Sequence, residues 1–297
     1  MIGALFALAA AAAFGLNTAI VRRGVRWAPP YYLIIFSLVA AVPVFVVLAF
    51  LTGQGQRAGE LALSDYALLS LAGVLNFIGG RYSNFMAIAA IGANLTAPLR
   101  TFSTLISAIL GFTILNEEIT GLRLLGLALI IAAPLLAFSR PSQMQLELKS
   151  GTRLKLAEGF SFSGIAALSY AFANFLLGYV LIGTNLSILG AAVAHSAAAT
   201  VMLATLAIPR NQRGVAALSM NSLYVFALVS MTMIAAQVFR FAAYERAPVS
   251  VVSALVETLA FFGLGFAYLI NRDHELFTRQ VVLGVGLAVV GAIALTI

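Results

Sequence analysis

Long apolar stretches follow one another along almost the whole chain, and most of the charge sits in the short segments between them. A membrane helix needs about 20 mostly apolar residues to cross a hydrocarbon core of about 30 Å. Ten segments meet that description: residues 2–21, 31–52, 66–89, 92–114, 121–138, 159–182, 186–208, 219–244, 248–270 and 279–297. Lipid leaves no backbone polar group a partner outside the protein, so a spanning segment must be a helix or part of a closed barrel. Barrel strands alternate over about ten residues, whereas these stretches are about twice that length and apolar on every face. The expected fold is therefore an all-α integral membrane protein with ten transmembrane helices. Composition agrees: 62% of the 297 residues are apolar and 9% are charged, against about 25% charged in soluble domains. The same figures exclude disorder. The absence of cysteine excludes disulfides, thiolate metal sites and thiol catalysis. The first stretch has no basic region before it, so it reads as the first helix and not as a signal peptide.

The net charge of +7 marks orientation, not nucleic-acid binding. Arg81, Arg100 and Arg240 fall inside spans. Of the other fourteen basic residues, eleven lie in the connections after spans one, five, seven and nine. Only Arg57, Arg123 and Arg246 lie in those after spans two, four and eight. The positive-inside rule then puts the first set in the cytoplasm and both termini outside.

The chain divides at its longest connection. Residues 1–138 and 159–297 form two five-helix repeats, and residues 139–158 are a linker. The fourth and ninth spans begin alike, with Ala90 to Leu99 in one and Glu245 to Leu255 in the other. Each ends at an Asn followed by acidic residues, and each is followed by a Leu-Gly pair, Leu125-Gly126 and Leu283-Gly284. A shift of 155 residues aligns them, growing to 158 after three extra residues in the last loop. Asn17 and Asn174 correspond approximately. An odd number of crossings per repeat inverts the second half relative to the first, an arrangement typical of secondary transporters, with the substrate site near the midplane between halves.

With these residues, the chain resembles the drug/metabolite transporter superfamily in its ten-helix EamA-type branch. Asn116-Glu117-Glu118-Ile119-Thr120, leading into Leu124-Leu125-Gly126, is similar to that family's acidic turn of Gly, Glu, any residue, a hydrophobic residue and Thr. Asn116 stands where Gly is usual. Asn271-Arg272-Asp273-His274-Glu275 in the second half departs further. The resemblance implies a basket-like bundle whose central cavity is lined by helices 1, 3, 4, 6, 8 and 9, and transport of small metabolites such as amino acids. It also implies termini drawn on the cytoplasmic side, opposite to the basic-residue count.

A charged side chain at the bilayer centre costs about 2.5–3.5 kcal/mol on insertion scales, so it faces a partner or a cavity. Thr96, Arg100, Ser103 and Ser107 step by four, three and four and share one helical face. Ser250, Ser253 and Glu257 do the same on span nine. Arg100 and Glu257 then lie at similar depths, either as a structural pair, as brackets for a zwitterion, or with Glu257 taking up a proton. On span three, Gly73, Asn76, Gly80 and Asn84 form one face beside Arg81 and Tyr82; on span eight, Ser230, Met233, Gln237, Arg240 and Tyr244 form another. The expected substrate-binding set is Arg100, Glu257, Arg81, Asn76, Tyr82, Ser103, Gln237, Asn17 and Asn174. His195 and Arg240 join it behind plainer readings: His195 packs among small residues, and Arg240 can reach the interface by snorkelling. Trp27, Tyr31 and Tyr32 read as an interfacial belt.

No phosphate-binding loop, metal-ligating spacing or serine with a nearby base is present. The expectation is no enzyme, no cofactor and no metal. The expected function is a secondary transporter or exporter of a small polar metabolite, an amino acid or other carboxylate, working by alternating access. The chain would be multi-pass in the cell (inner) membrane, with a small-molecule substrate and membrane lipid as partners and no nucleic acid. A facilitator or flippase of the same fold for a sugar- or lipid-linked substrate is one alternative; a membrane-embedded enzyme or scaffold subunit is another. Glycine-rich helices leave a homodimer open.

Overall fold

The structure, a computed structural model, describes residues 1–24, 30–137, 155–208, 220–270 and 279–296. Trp27, residues 139–154 of the expected linker, and Asn271 to Glu275 lie outside the described residues. Among the described residues there is no strand. The helices are α1 (Ile2–Gly24), α2 (Pro30–Leu51), α3 (Leu63–Val74), α4 (Ser83–Arg100), α5 (Phe102–Ile114), α6 (Gly121–Ala137), α7 (Leu156–Leu181), α8 (Ser187–Ala204), α9 (Met220–Arg246), α10 (Val249–Glu257), α11 (Leu259–Ile270) and α12 (Arg279–Thr296). A 3₁₀ turn, Gly55–Glu60, follows α2, and a π-helical stretch, Leu75–Tyr82, joins α3 to α4. Among the described residues, seven helical segments are long and apolar enough to cross a membrane, and Phe102–Ile114, Gly121–Ala133 and Gly286–Leu295 are shorter apolar helices. The chain is a multi-pass, all-α membrane protein.

In the first half the described backbone departs from the expected spans. Residues 63–100 are helical without a break, so the connection expected near residue 90 is itself helical, and helix assignment first lapses at Thr101. A straight helix would separate residues 79 and 107 by about 42 Å at 1.5 Å per residue. Yet Gly79 abuts Ser169 of α7, and the Ser107 hydroxyl lies 3.4 Å from the carbonyl of Ala171. The chain therefore reverses between these two contacts while keeping its helical hydrogen bonding through α4.

A matching interruption occurs in the second half, at Thr258 between α10 and α11. Thr101 and Thr258 are 157 residues apart, and each follows an ionisable residue, Arg100 and Glu257. Asn17 and Asn174 are separated by the same 157. Both pairs recur at a spacing of 157, close to the shift of 155 to 158 expected from the sequence.

The halves exchange helices. α1 packs on α9, α10 and α11, while α7 packs on α3, α4 and α5; α2 lies against α8, α6 against α12, and α5 against α10. Close approach is set by small residues: the carbonyl of Gly291 would sit 2.7 Å from a Cβ at Gly126. Gly3 near the start of α1 abuts Ala247, and the Gly183 N–H just past the end of α7 donates to the Glu245 carbonyl at 3.0 Å. These contacts meet at one end of the bundle, so α1 and α7 run in opposite directions. That end holds the main buried cluster, which includes Phe45, Leu69, Leu177, Leu181, Tyr244 and Val249. Glu245 accepts from the Ser187 N–H at 2.8 Å, and the Gln54 amide oxygen accepts from Ile188 and Leu189, so the N-terminus of α8 is capped from two sides. At the exposed rim, the hydrogen bond from Arg57 holds the Glu60 carboxyl below its usual range.

Candidate substrate-binding cavity

Between the exchanged helices lies a cavity of about 270 Å³. Its lining comes from α1, the π-helical stretch with α4, the α4–α5 junction, α7, α9 and the α10–α11 junction. Those are spans one, three, four, six, eight and nine. The lining runs from mid-bundle, at Asn76, Asn174 and Arg240, toward the ends of α1 and α11, at Val21 and Leu264. It therefore extends away from the apolar cluster, and Tyr244, one turn beyond Arg240, is fully buried in that cluster.

Asn17, Asn76, Arg81, Arg100, Ser103, Asn174, Gln237, Arg240 and Glu257 all line this cavity. Tyr82 and His195 do not. Tyr82 packs against the cluster of Ile34, Leu38 and Phe77. His195 is 1% exposed, with ring centroids of Phe45 and Phe77 at 4.6 and 4.8 Å, and its Nδ1 lies 2.7 Å from the Ala191 carbonyl. It is a packing histidine behind the cavity wall.

At the junctions, Arg100 Nη2 donates to Glu257 Oε2 at 3.0 Å, with side-chain exposures of 21% and 11%. The Ser103 hydroxyl donates back to the Arg100 carbonyl at 2.8 Å, which satisfies a backbone group released where α4 ends. At mid-bundle, Arg240 draws three elements together. Its Nη1 donates to Asn76 at 2.9 Å and Gln237 at 3.3 Å, and its Nη2 donates to Asn174. Arg240 thus points inward, and the snorkelling expected from its distance to the helix end does not occur. Asn17 ties α1 to α9 through the Val229 carbonyl and the Thr232 hydroxyl, both at 2.8 Å.

The π-helical stretch explains why Asn76 and Arg81 both reach the cavity. Residues five apart diverge on an α-helix, but i→i+5 bonding widens the turn and brings them onto one face. It also splits the face expected on span three. Gly73 abuts Ala194 of α8 and Gly80 abuts the ring of Tyr170, whereas Asn76 and Asn84 face the cavity.

Tyr170 lines the cavity together with all three arginines and Glu257, and the sequence reading missed it. The available signal was its position one turn before Asn174 on the same helix; an aromatic ring in an apolar stretch otherwise looks like core.

The acidic turn has a different role. α5 ends with the Glu117 N–H donating to the Gly111 carbonyl at 3.2 Å, and Asn116 takes φ 51°. Glycine enters that left-handed region at no cost, and Asn is among the few others that do so readily. The turn aims Glu117 at the N-terminus of α10, where its carboxylate accepts from the Val249 and Ser250 N–H groups and from the Ser250 hydroxyl. Gly111 leaves the space, since a Cβ there would lie 2.7 Å from Glu117.

The sequence model of the EamA-like transporter family matches residues 1–139. Over those residues the chain is similar to a family of membrane transporters, and they supply Asn17, Asn76, Arg81, Arg100 and Ser103 to the cavity. A solved structure described only as "Crystal structure of protein" superposes with a TM-score of 0.71 at 11% identity, over 99% of this chain and 96% of that one. At that identity the likeness is one of fold. A comparison with curated proteins found no match.

Proposed function

We propose that this protein is a secondary transporter that moves a small polar carboxylate, an amino acid or a related acid, across the cell membrane by alternating access. Ten crossings form two inverted repeats, residues 1–138 and 159–297, joined by residues 139–158. The opposite directions of α1 and α7 and the common 157-residue spacing support that organisation. The observation that carries the reading is the cavity between exchanged helices, mostly apolar but carrying three arginines and a carboxylate, shut at one end by apolar packing and bridged by Arg100–Glu257.

Arg100 uses one Nη for Glu257, and its buried Nε has no partner. A substrate carboxylate can accept from that Nε and a neighbouring Nη in parallel, the geometry in which arginine holds carboxylates best. Binding then competes with Glu257, which is released toward water or a proton. The cavity extends toward the end of α1, which leads into a basic connection in the sequence, so by the positive-inside rule this is the state reached from the cytoplasm. The opposite state requires the Phe45–Tyr244 cluster to part and the lining helices to close.

Counterflow in proteoliposomes tests this. Labelled substrate should accumulate in vesicles preloaded with the same unlabelled acid, and Arg100→Lys should slow it, because an ammonium cannot offer the paired donors. Folded protein that gives no counterflow with any amino acid or carboxylate would overturn the proposal.

A further inference from the structure

The cavity's charges do not balance. Arg81, Arg100 and Arg240 line it, and Glu257 is its one carboxylate among the described residues. Glu257 pairs with Arg100 and offsets only one of the three cations. Arg81 is 7% exposed; its Nη1 donates to the Ser37 hydroxyl at 3.0 Å, and its guanidinium lies 5.7 Å from the Phe85 ring centroid. Arg240 is 5% exposed and bonds to the amide oxygens of Asn76, Gln237 and Asn174. Hydroxyls, rings and amides satisfy hydrogen bonds or orient a cation, but they do not cancel its charge. Among the described residues, two buried guanidiniums are left without an anion, a costly arrangement unless something else supplies the charge.

The unmet hydrogen bonds point the same way. Among the lining side chains, the buried polar atoms without a partner are Arg100 Nε and Gln237 Nε2. Both are N–H donors in these positions, so what is missing is acceptor oxygen. The volume of about 270 Å³ falls below the usual range of about 300–1,000 Å³ for drug-sized ligands. The missing partner is small, rich in oxygen and doubly negative.

We infer that the substrate is a small organic dianion, a dicarboxylate or a phosphate monoester, and not a zwitterion. The inference rests on the transport reading above and narrows it. One acidic group engages Arg100, and the second lies toward Arg81 and Arg240. An ammonium group would instead add a fourth cation to a cavity that holds one carboxylate.

An isosteric series in binding assays tests this. Succinate, butyrate and 4-aminobutyrate share a four-carbon chain and differ in charge at the far end; glycerol 3-phosphate is the phosphate arm. Thermal unfolding of the purified protein at pH 7.5 reads their affinities by mass action. Succinate or glycerol 3-phosphate should bind at least about tenfold more tightly than butyrate, the change expected for one charge-assisted hydrogen bond, and 4-aminobutyrate should bind most weakly. Whichever dianion binds more tightly identifies the acid. Arg81→Gln and Arg240→Gln should each weaken the dianion more than butyrate and so erase its preference, and Arg240→Lys should keep it. If Arg240→Gln does not fold, Arg81→Gln and the wild-type series decide. Binding of 4-aminobutyrate as tight as that of succinate, or a dianion preference that survives Arg81→Gln, overturns the inference. Proteoliposome flux separates the two readings. Dianion binding without flux leaves the charge assignment and removes transport; full-rate flux of a zwitterion does the reverse.

Discussion

Glu117 and Glu257 both join the α4–α5 region to α10, and they are held in opposite ways. Glu117 meets fixed donors: two backbone N–H groups at a helix start and a hydroxyl one residue on. The positive end of α10 adds to its stabilisation. Glu257 meets one nitrogen of a guanidinium that has another nitrogen unpartnered. The first carboxylate cannot be exchanged without undoing a helix terminus, whereas the second can be displaced by another anion. The lesson is that burial of an acidic residue in a membrane protein does not by itself mark a site. What marks it is a partner that can change partners.

The largest effect should come from breaking the exchangeable contact. Arg100→Ala leaves Glu257 inside the bundle without its cation, and destabilisation of about 3 kcal/mol or more is expected, read by thermal unfolding in detergent. The double variant Arg100→Ala with Glu257→Ala should recover most of that stability and still fail to transport. Wild-type counterflow from the folded double variant would reduce the pair to a structural link and leave Arg81 and Arg240 as the site.

Glu117→Ala should give the reverse profile. Losing a carboxylate that accepts from the α10 N-terminus should cost about 2–3 kcal/mol, while affinity of the folded protein for its substrate stays unchanged, because Glu117 does not line the cavity. A weakened affinity with unaltered melting would blur the distinction between the two carboxylates.

The smallest effect lies one residue earlier. Asn116 at φ 51° should accept Gly with a change of a few tenths of a kcal/mol. Asn116→Val should lose about 1–2 kcal/mol, since a β-branched residue is penalised in the left-handed region. Equal melting temperatures for the two variants would mean that the turn relaxes and does not set the aim of Glu117.

Much of this was legible in the sequence because a membrane simplifies reading. Apolar length gives the helices, and any charge that interrupts it stands out, which is how Arg81, Arg100 and Glu257 were found. The acidic turn was legible as chemistry, though its use as a cap on α10 was not, since that partner lies 132 residues away. Winding was illegible: nothing in the spacing of Asn76, Gly80 and Arg81 distinguishes π from α, and the face drawn on α periodicity divided accordingly. Tyr82 was placed by neighbourhood in sequence and packs instead, because depth along a helix does not fix azimuth, whereas His195 takes the plainer packing reading that the sequence already offered. Tyr170 was lost for the converse reason, as apolar rings carry no mark of facing water.

The apolar cluster around Phe45, Leu177 and Tyr244 is also an electrical insulator. A cavity open to one side carries that side's potential down to the floor at Arg240, so the membrane voltage falls mostly across the cluster. Each elementary charge moved through that field exchanges about 2.3 kcal/mol per 100 mV. For the dianion inferred above, leaving a cytoplasm held 100 mV negative, the drive outward is about 4.6 kcal/mol, enough to sustain export against a large gradient with no coupled ion. Flux of the acid that ignores an imposed diffusion potential would mean that protons travel with it and cancel its charge.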